Sequence, residues 1–166
     1  MAKGGSFRLP LFCWRLLIGE ACGPRRHAAK HVVPAASLWD FKMNYVLVFV
    51  GGGLGSTLRY LVNIVCPRLF GTAFPYHTFI INITGSIVMG LIAGYLAFKG
   101  EASQPWRLFL MTGVLGGYTT FSAFSLDTAV LYERGELGLA LTYVLGSVVL
   151  SIAGLFAGLA LVRHLA

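Results

Sequence analysis

A stretch apolar and long enough to cross a bilayer, about residues 106–132, carries in its middle the run G-V-L-G-G-Y-T-T-F-S-A-F-S-L-D at 113–127. Gly113, Gly116 and Gly117, followed by Thr119, Thr120 and Ser122, are poor choices for an uninterrupted helix. In hydrocarbon an unpaired backbone carbonyl costs several kcal/mol. A chain that breaks at membrane depth must therefore bury the break in protein, open it to a water-filled cavity, or hand its oxygens to an ion. The run thus restricts the chain to membrane architectures and marks a candidate functional site.

Composition supports the membrane reading. The 166 residues are 57% hydrophobic and only 11% charged, with a mean hydropathy of +0.76, which excludes both an ordinary soluble domain and a disordered chain. The formal charge of +7 would suggest nucleic acid or an anionic surface until the charges are located. Residues 1–42 hold Lys3, Arg8, Arg15, Arg25, Arg26, Lys30 and Lys42 against Glu20 and Asp40, a net +5; residues 43–166 contribute only +2. The basicity belongs to an N-terminal extension, and no nucleic-acid partner is implied. In that extension the apolar run 9–19 is broken by Arg15, and no small-x-small cleavage site follows, so a signal peptide is not indicated. The expectation is that translation begins at Met43, with 1–42 a start-site artefact or a disordered segment and 43–166 the working domain. Cys13, Cys22 and Cys66 are odd in number, sit at no metal-ligand spacing, and read as small apolar fillers.

From Met43 the pattern predicts four membrane-crossing segments: about 45–66, with the single charge Arg59; 77–98; 106–132, containing the break; and 137–162. Each exceeds the roughly 20 residues that span a hydrocarbon core. Short links imply an up-and-down all-α bundle. Small residues four apart (Gly51 and Gly55, Ser86 and Gly90, Gly90 and Gly94, Gly154 and Gly158) allow close helix approach. So tight a bundle leaves little interior, and a transport path is expected to need an oligomer. The orienting charges nearly balance, with Lys99, Arg107 and Arg163 on one side and Arg68 and Arg134 on the other. Such a chain can insert both ways and pair antiparallel with itself.

Catalysis finds little support. Asp127, Glu133 and Glu136 lie toward one face, no metal-ligand spacing occurs, and His77 and His164 sit at segment ends. The interior instead offers uncharged donors: Asn82, Thr84, Ser86, Thr119, Thr120, Ser122, Tyr143, Ser147 and Ser151. Tyr143, Ser147 and Ser151 are spaced i, i+4, i+8, so they share one helix face as a hydroxyl ladder with steps of about 6 Å. Interhelical hydrogen bonding explains such a ladder as well as an ion path does. Donors without a fixed cation suit a small anion that must bind weakly enough to leave. Phe121 and Phe124, i and i+3, share a face if helix resumes after Thr120; core packing accounts for them, yet phenyl edges are positive and can face an anion. The carbonyls of the broken turn suit a cation, and two copies about a two-fold axis could cage a dehydrated monovalent ion such as sodium.

Three motifs, G-G-G-L-G-S-T-L-R-Y at 51–60, I-N-I-T-G-S at 81–86 and G-V-L-G-G-Y-T-T-F-S-A-F-S at 113–125, together resemble the bacterial fluoride channels of the CrcB/Fluc family. The resemblance covers about 43–162 and implies an antiparallel, dual-topology homodimer in the bacterial inner membrane. It would have two pathways that export cytoplasmic fluoride passively and a structural sodium ion at its centre. Carried over by motif position, the carbonyls of Gly116 and Thr119 would cage the sodium. Phe121, Phe124, Asn82, Thr120, Tyr143, Ser147 and Ser151 would form the fluoride pathway, and Arg59 would be a vestibule or structural residue. Ala123 stands where the family usually has threonine, His77 where a smaller residue is common, and 1–42 has no counterpart. The rival readings are a proton- or sodium-coupled fluoride transporter, which would want a titratable group at midplane, and a membrane scaffold in which the motifs serve packing alone.

Overall fold

A computed structural model describes residues 38–98 and 104–165, and among these every regular element is helical. In chain order they are α1 (Leu38–Phe70), α2 (Tyr76–Phe98), α3 (Gln104–Arg107), a π-helical stretch (Leu108–Leu115), α4 (Gly116–Tyr118), α5 (Phe121–Glu133) and α6 (Leu137–Leu165). Three helices, over Lys42–Phe70, Tyr76–Ala97 and Leu137–Leu165, are long and apolar enough to cross a membrane. Residues 1–37, where most of the expected extension falls, lie outside the described residues; α1 itself begins at Leu38, ahead of Met43.

The outer surface is that of a membrane protein. Phe49 is 83% exposed, and Leu145 and Phe156 are each 63% exposed, on faces whose only suitable solvent is lipid. With hydrocarbon outside, burial of apolar surface does not hold the helices together, and close van der Waals contact must do so. The glycines supply that contact. A Cβ on Gly51 would sit 2.7 Å from the Phe109 carbonyl oxygen, and one on Gly158 would sit 2.6 Å from that of Ile87. Accordingly α1 packs mainly on the strip 108–118 and α2 mainly on α6. Leu131, Ala140 and Tyr143 form a buried cluster at one end, flanked by Phe74, Phe79 and Phe124.

Two helix ends are closed by glycine in the left-handed region, Gly71 and Gly135, both at φ 77°. After α5 the Gly135 N–H donates to Tyr132 O at 2.9 Å and the Glu136 N–H to Leu131 O at 3.1 Å. These paired bonds satisfy the last carbonyls of α5 and allow α6 to start at once.

Candidate functional site

The chain leaves helical geometry at Thr119 (φ −74°, ψ 156°) and Thr120 (φ −152°, ψ 122°). Asn82 on α2 holds this extended pair. Its Nδ2 donates to Thr120 O at 3.1 Å, and its Oδ1 accepts from Thr120 N–H at 3.0 Å, so one side-chain amide satisfies both backbone groups of one residue. Thr120 in turn caps α5, its Oγ1 accepting from Ala123 N–H at 3.2 Å and lying 3.2 Å from Ser122 Oγ. Thr119 Oγ1 and N–H both donate to Leu115 O at 2.9 Å.

These bonds matter for what they displace. In an unbroken helix Thr120 N–H would serve the Gly116 carbonyl and Ala123 N–H that of Thr119. Asn82 and the Thr120 hydroxyl take those donors instead. The two carbonyls singled out by the sequence motif are thereby released from their helical partners, and oxygens of this kind are suited to a monovalent cation.

Beside the break lies a groove of about 380 Å³, open along one side, onto which Asn82, Thr119, Thr120, Phe121, Phe124, Ser147 and Ser151 all face. Gly85, Ser86 and Met89 of α2 and Val148, Ile152 and Leu155 of α6 complete it. Phe121, 78% exposed, stands at its rim, with its ring centroid 5.6 Å from that of Phe124. The Ser147 and Ser151 hydroxyl oxygens are buried with no hydrogen-bond partner among the described residues. Leaving such a group unpaired costs about 1–3 kcal/mol in proteins, so two in succession on one helix face stand out from ordinary packing.

Tyr143 is placed differently. It is fully buried and is not among the groove-lining residues; its hydroxyl donates to Asp127 Oδ2 at 3.2 Å, and its ring lies 5.2 Å from Phe124. It therefore touches the groove only through that phenyl ring. Arg59 sits on α1 behind the break, donating to Ser56 Oγ at 3.5 Å, while Ser56 Oγ donates to Gly117 O at 3.5 Å. Thr84, counted among the interior donors, pairs instead with Tyr118 at 3.1 Å. Asp127, which does not line the groove, engages Tyr143 through its carboxylate and faces His77 at 3.8 Å; its i+3 spacing from Phe124 puts both on one face of α5.

Known proteins resemble this chain over most of its length. The chain is 76% identical over 123 residues to a protein of Nitrobacter hamburgensis described as fluoride-specific ion channel FluC 2, covering 74% of this chain and 99% of that one. A fluoride-specific ion channel FluC of Rhodopseudomonas palustris (strain BisB5) is 73% identical over 121 residues, covering 73% of this chain and 98% of the relative. One from Caulobacter sp. (strain K31) is 52% identical over 121 residues, covering 72% and 94%. The sequence profile of the family described as CrcB-like protein, Camphor Resistance (CrcB), matches residues 46–159. With that match and these multi-pass apolar helices, the chain belongs to the CrcB family of bacterial membrane proteins.

Proposed function

We propose that the chain is a passive, fluoride-specific channel of the bacterial inner membrane, through which cytoplasmic fluoride leaves the cell. The observation that carries this reading is the groove that brings Asn82, Phe121, Phe124, Ser147 and Ser151 together, with two serine hydroxyls that have no hydrogen-bond partner among the described residues. The relatives' description as fluoride-specific ion channels supports the choice of anion.

The chemistry suits a small, strongly hydrated anion. Ser151 and Ser147 each offer one O–H donor, in steps of about 6 Å along α6, and so replace water molecules one at a time. Phe121 and Phe124 offer positive ring edges, which attract an anion without the depth of a fixed cation that would trap it. α5 begins beside the groove and turns the positive end of its dipole toward it. The described residues that line the groove are all uncharged, which favours passive permeation over proton coupling and leaves no acid–base pair for an enzyme.

The finer architecture belongs to the same proposal. The segment 104–133 completes a fourth, broken crossing. The groove's open side and the 78% exposed Phe121 are covered by a second, antiparallel copy, giving two pathways per dimer. Gly116 and Thr119 of each copy then hold a sodium ion between them, through the carbonyls that the Asn82 and Thr120 bonds release. When bound, that ion would tie the two breaks together.

The test is passive efflux from liposomes containing the full chain, followed with a fluoride electrode, with chloride loading and the Phe121→Ile variant as comparisons. Fluoride release that needs no proton gradient, excludes chloride and falls at least tenfold in Phe121→Ile is expected, with a monodisperse size-exclusion peak showing that the variant still folds and assembles. Release only under an imposed proton gradient would instead establish a coupled transporter. No release would leave a scaffold.

A further inference from the structure

We propose that Ser86 of α2 is a further pathway residue, the donor that takes over the anion where the hydroxyl series of α6 runs out; the proposal rests on the channel reading above. Ser86 lines the groove with Asn82, Ser147 and Ser151 and is half-buried. A serine or threonine inside a helix can turn its hydroxyl back on a carbonyl of the preceding turn, as Thr84 does on Ile80 O at 2.7 Å. Ser86 makes no side-chain hydrogen bond among the described residues, so its O–H is free to serve a guest in the groove.

The register of the two walls gives that donor its place. A Cβ on Gly146 would sit 3.3 Å from the Phe79 ring, one on Gly154 would sit 2.8 Å from Ile87 Cγ1, and one on Gly94 would sit 3.0 Å from Val162 Cβ. Positions on the two helices rise together, so α2 and α6 run side by side in the same direction. With 79 opposite 146 and 87 opposite 154, the groove-lining residues Ser147, Asn82, Ser151 and Ser86 follow one another at steps of two residues, about 3 Å each, on alternating walls. An anion passing along them meets the next donor on the opposite wall before leaving the last. Asn82 spends one N–H on Thr120 O and has one left to give.

The next two places in the series are Leu155 on α6 and Gly90 on α2, which pack against each other. Neither has a side-chain donor, and Met89 beside them on the groove wall carries a thioether, which donates nothing. Ser86 is therefore the last side-chain donor at this end of the groove. A strongly hydrated anion that leaves Ser151 without it would lose one partner before water replaces it; a neutral hydroxyl bridges that step without trapping the ion. Close approach of α2 to α6 falls to Gly90 and Gly94, and a hydroxyl at 86 is not needed for it.

The experiment is fluoride efflux per folded protein from vesicles holding the full chain, with Tm and the size-exclusion peak measured beside it, for wild type, Ser86→Ala, Ser86→Cys and the control Thr142→Ala. Ser86→Ala is expected to lower efflux about tenfold, the scale of one lost hydrogen bond to a charged group, with Tm unchanged and the control at the wild-type rate. A wild-type rate in Ser86→Ala, whatever its Tm, overturns the role of Ser86 and leaves the channel in place. If Ser86→Ala gives no folded peak, Ser86→Cys decides: it keeps the shape of serine but offers only a weak S–H donor, so a lowered rate supports the proposal and a wild-type rate overturns it. No protein-dependent efflux from the wild type overturns the channel reading and this proposal together.

Discussion

Replacing Asn82 with alanine isolates the device that keeps the chain extended at Thr119 and Thr120. The substitution removes two hydrogen bonds, at 3.1 and 3.0 Å, and leaves both backbone groups of Thr120, a residue only 8% exposed, without partners. Polar interactions between membrane helices average about 0.6 kcal/mol and reach about 1.7, so the pair contributes about 1–3 kcal/mol. At the midpoint, about 2 kcal/mol corresponds to roughly 4–8 °C in Tm for a chain of this size. Thr120 N–H is then free to return to the Gly116 carbonyl, which closes the break and takes that oxygen from any cation. The assay is thermal unfolding in detergent, followed by loss of the monodisperse size-exclusion peak, beside fluoride efflux per folded protein. Thr142→Ala serves as control, because that exposed hydroxyl donates only within its own helix, to Gly138 O at 2.9 Å, and its loss should stay within about 0.5 kcal/mol. If Asn82→Ala melts with Thr142→Ala and conducts as wild type does, the amide is not what holds the break open.

Further outcomes follow from the same geometry. Ser147→Ala and Ser151→Ala should cut efflux while leaving Tm unchanged or slightly raised, since each hydroxyl is buried without a partner among the described residues; a fall in Tm with normal efflux would make them structural. Gly55→Val should abolish the folded peak, because a Cβ there meets the Val114 carbonyl and lies 2.8 Å from Tyr118 N. Gly138→Ala meets nothing within 4 Å and should be neutral or stabilise by up to about 1 kcal/mol; similar yields of the two would refute close backbone packing of α1 on 108–118. Exchanging all sodium for a large organic cation should lower efflux if the Gly116 and Thr119 carbonyls hold sodium, and sodium titration should restore it; equal rates in both media would remove the ion from the proposal.

Sequence reading reached the membrane class and the groove through different signals. Length and hydropathy identify α1, α2 and α6 directly, because lipid tolerates few other compositions. The i, i+4 spacing put Ser147 and Ser151 on one face, and both do line the groove. The same spacing could not foresee that the Tyr143 hydroxyl would point to Asp127, since a tyrosine reaches well beyond its own helix face and its proton goes to the strongest acceptor in range. The cluster of Gly and Thr signalled a weak helix, but the amide that exploits it sits 38 residues earlier, at Asn82, and no local pattern encodes such a bond. The π-helical Leu108–Leu115 was equally hidden, because its residues are ordinary apolar ones and its geometry answers to packing against the glycines of α1.

The pairing of α1 with 108–118 and of α2 with α6 also sets an order of events during synthesis. Residues 71–107 separate α1 from the strip it packs on, and 99–136 separate α2 from α6, so 37 and 38 further residues are made before each main partner begins. At the pace of a ribosome this leaves each waiting for roughly 2–8 s. During that interval the glycine faces that receive those partners are solvated by lipid, so the direction in which each helix inserts is fixed by its own hydropathy and flanking charges before its main tertiary contact exists. Assembly of the bundle is consequently a post-insertion event, and a mutation that weakens packing will lower the yield of folded protein without changing which way the chain faces.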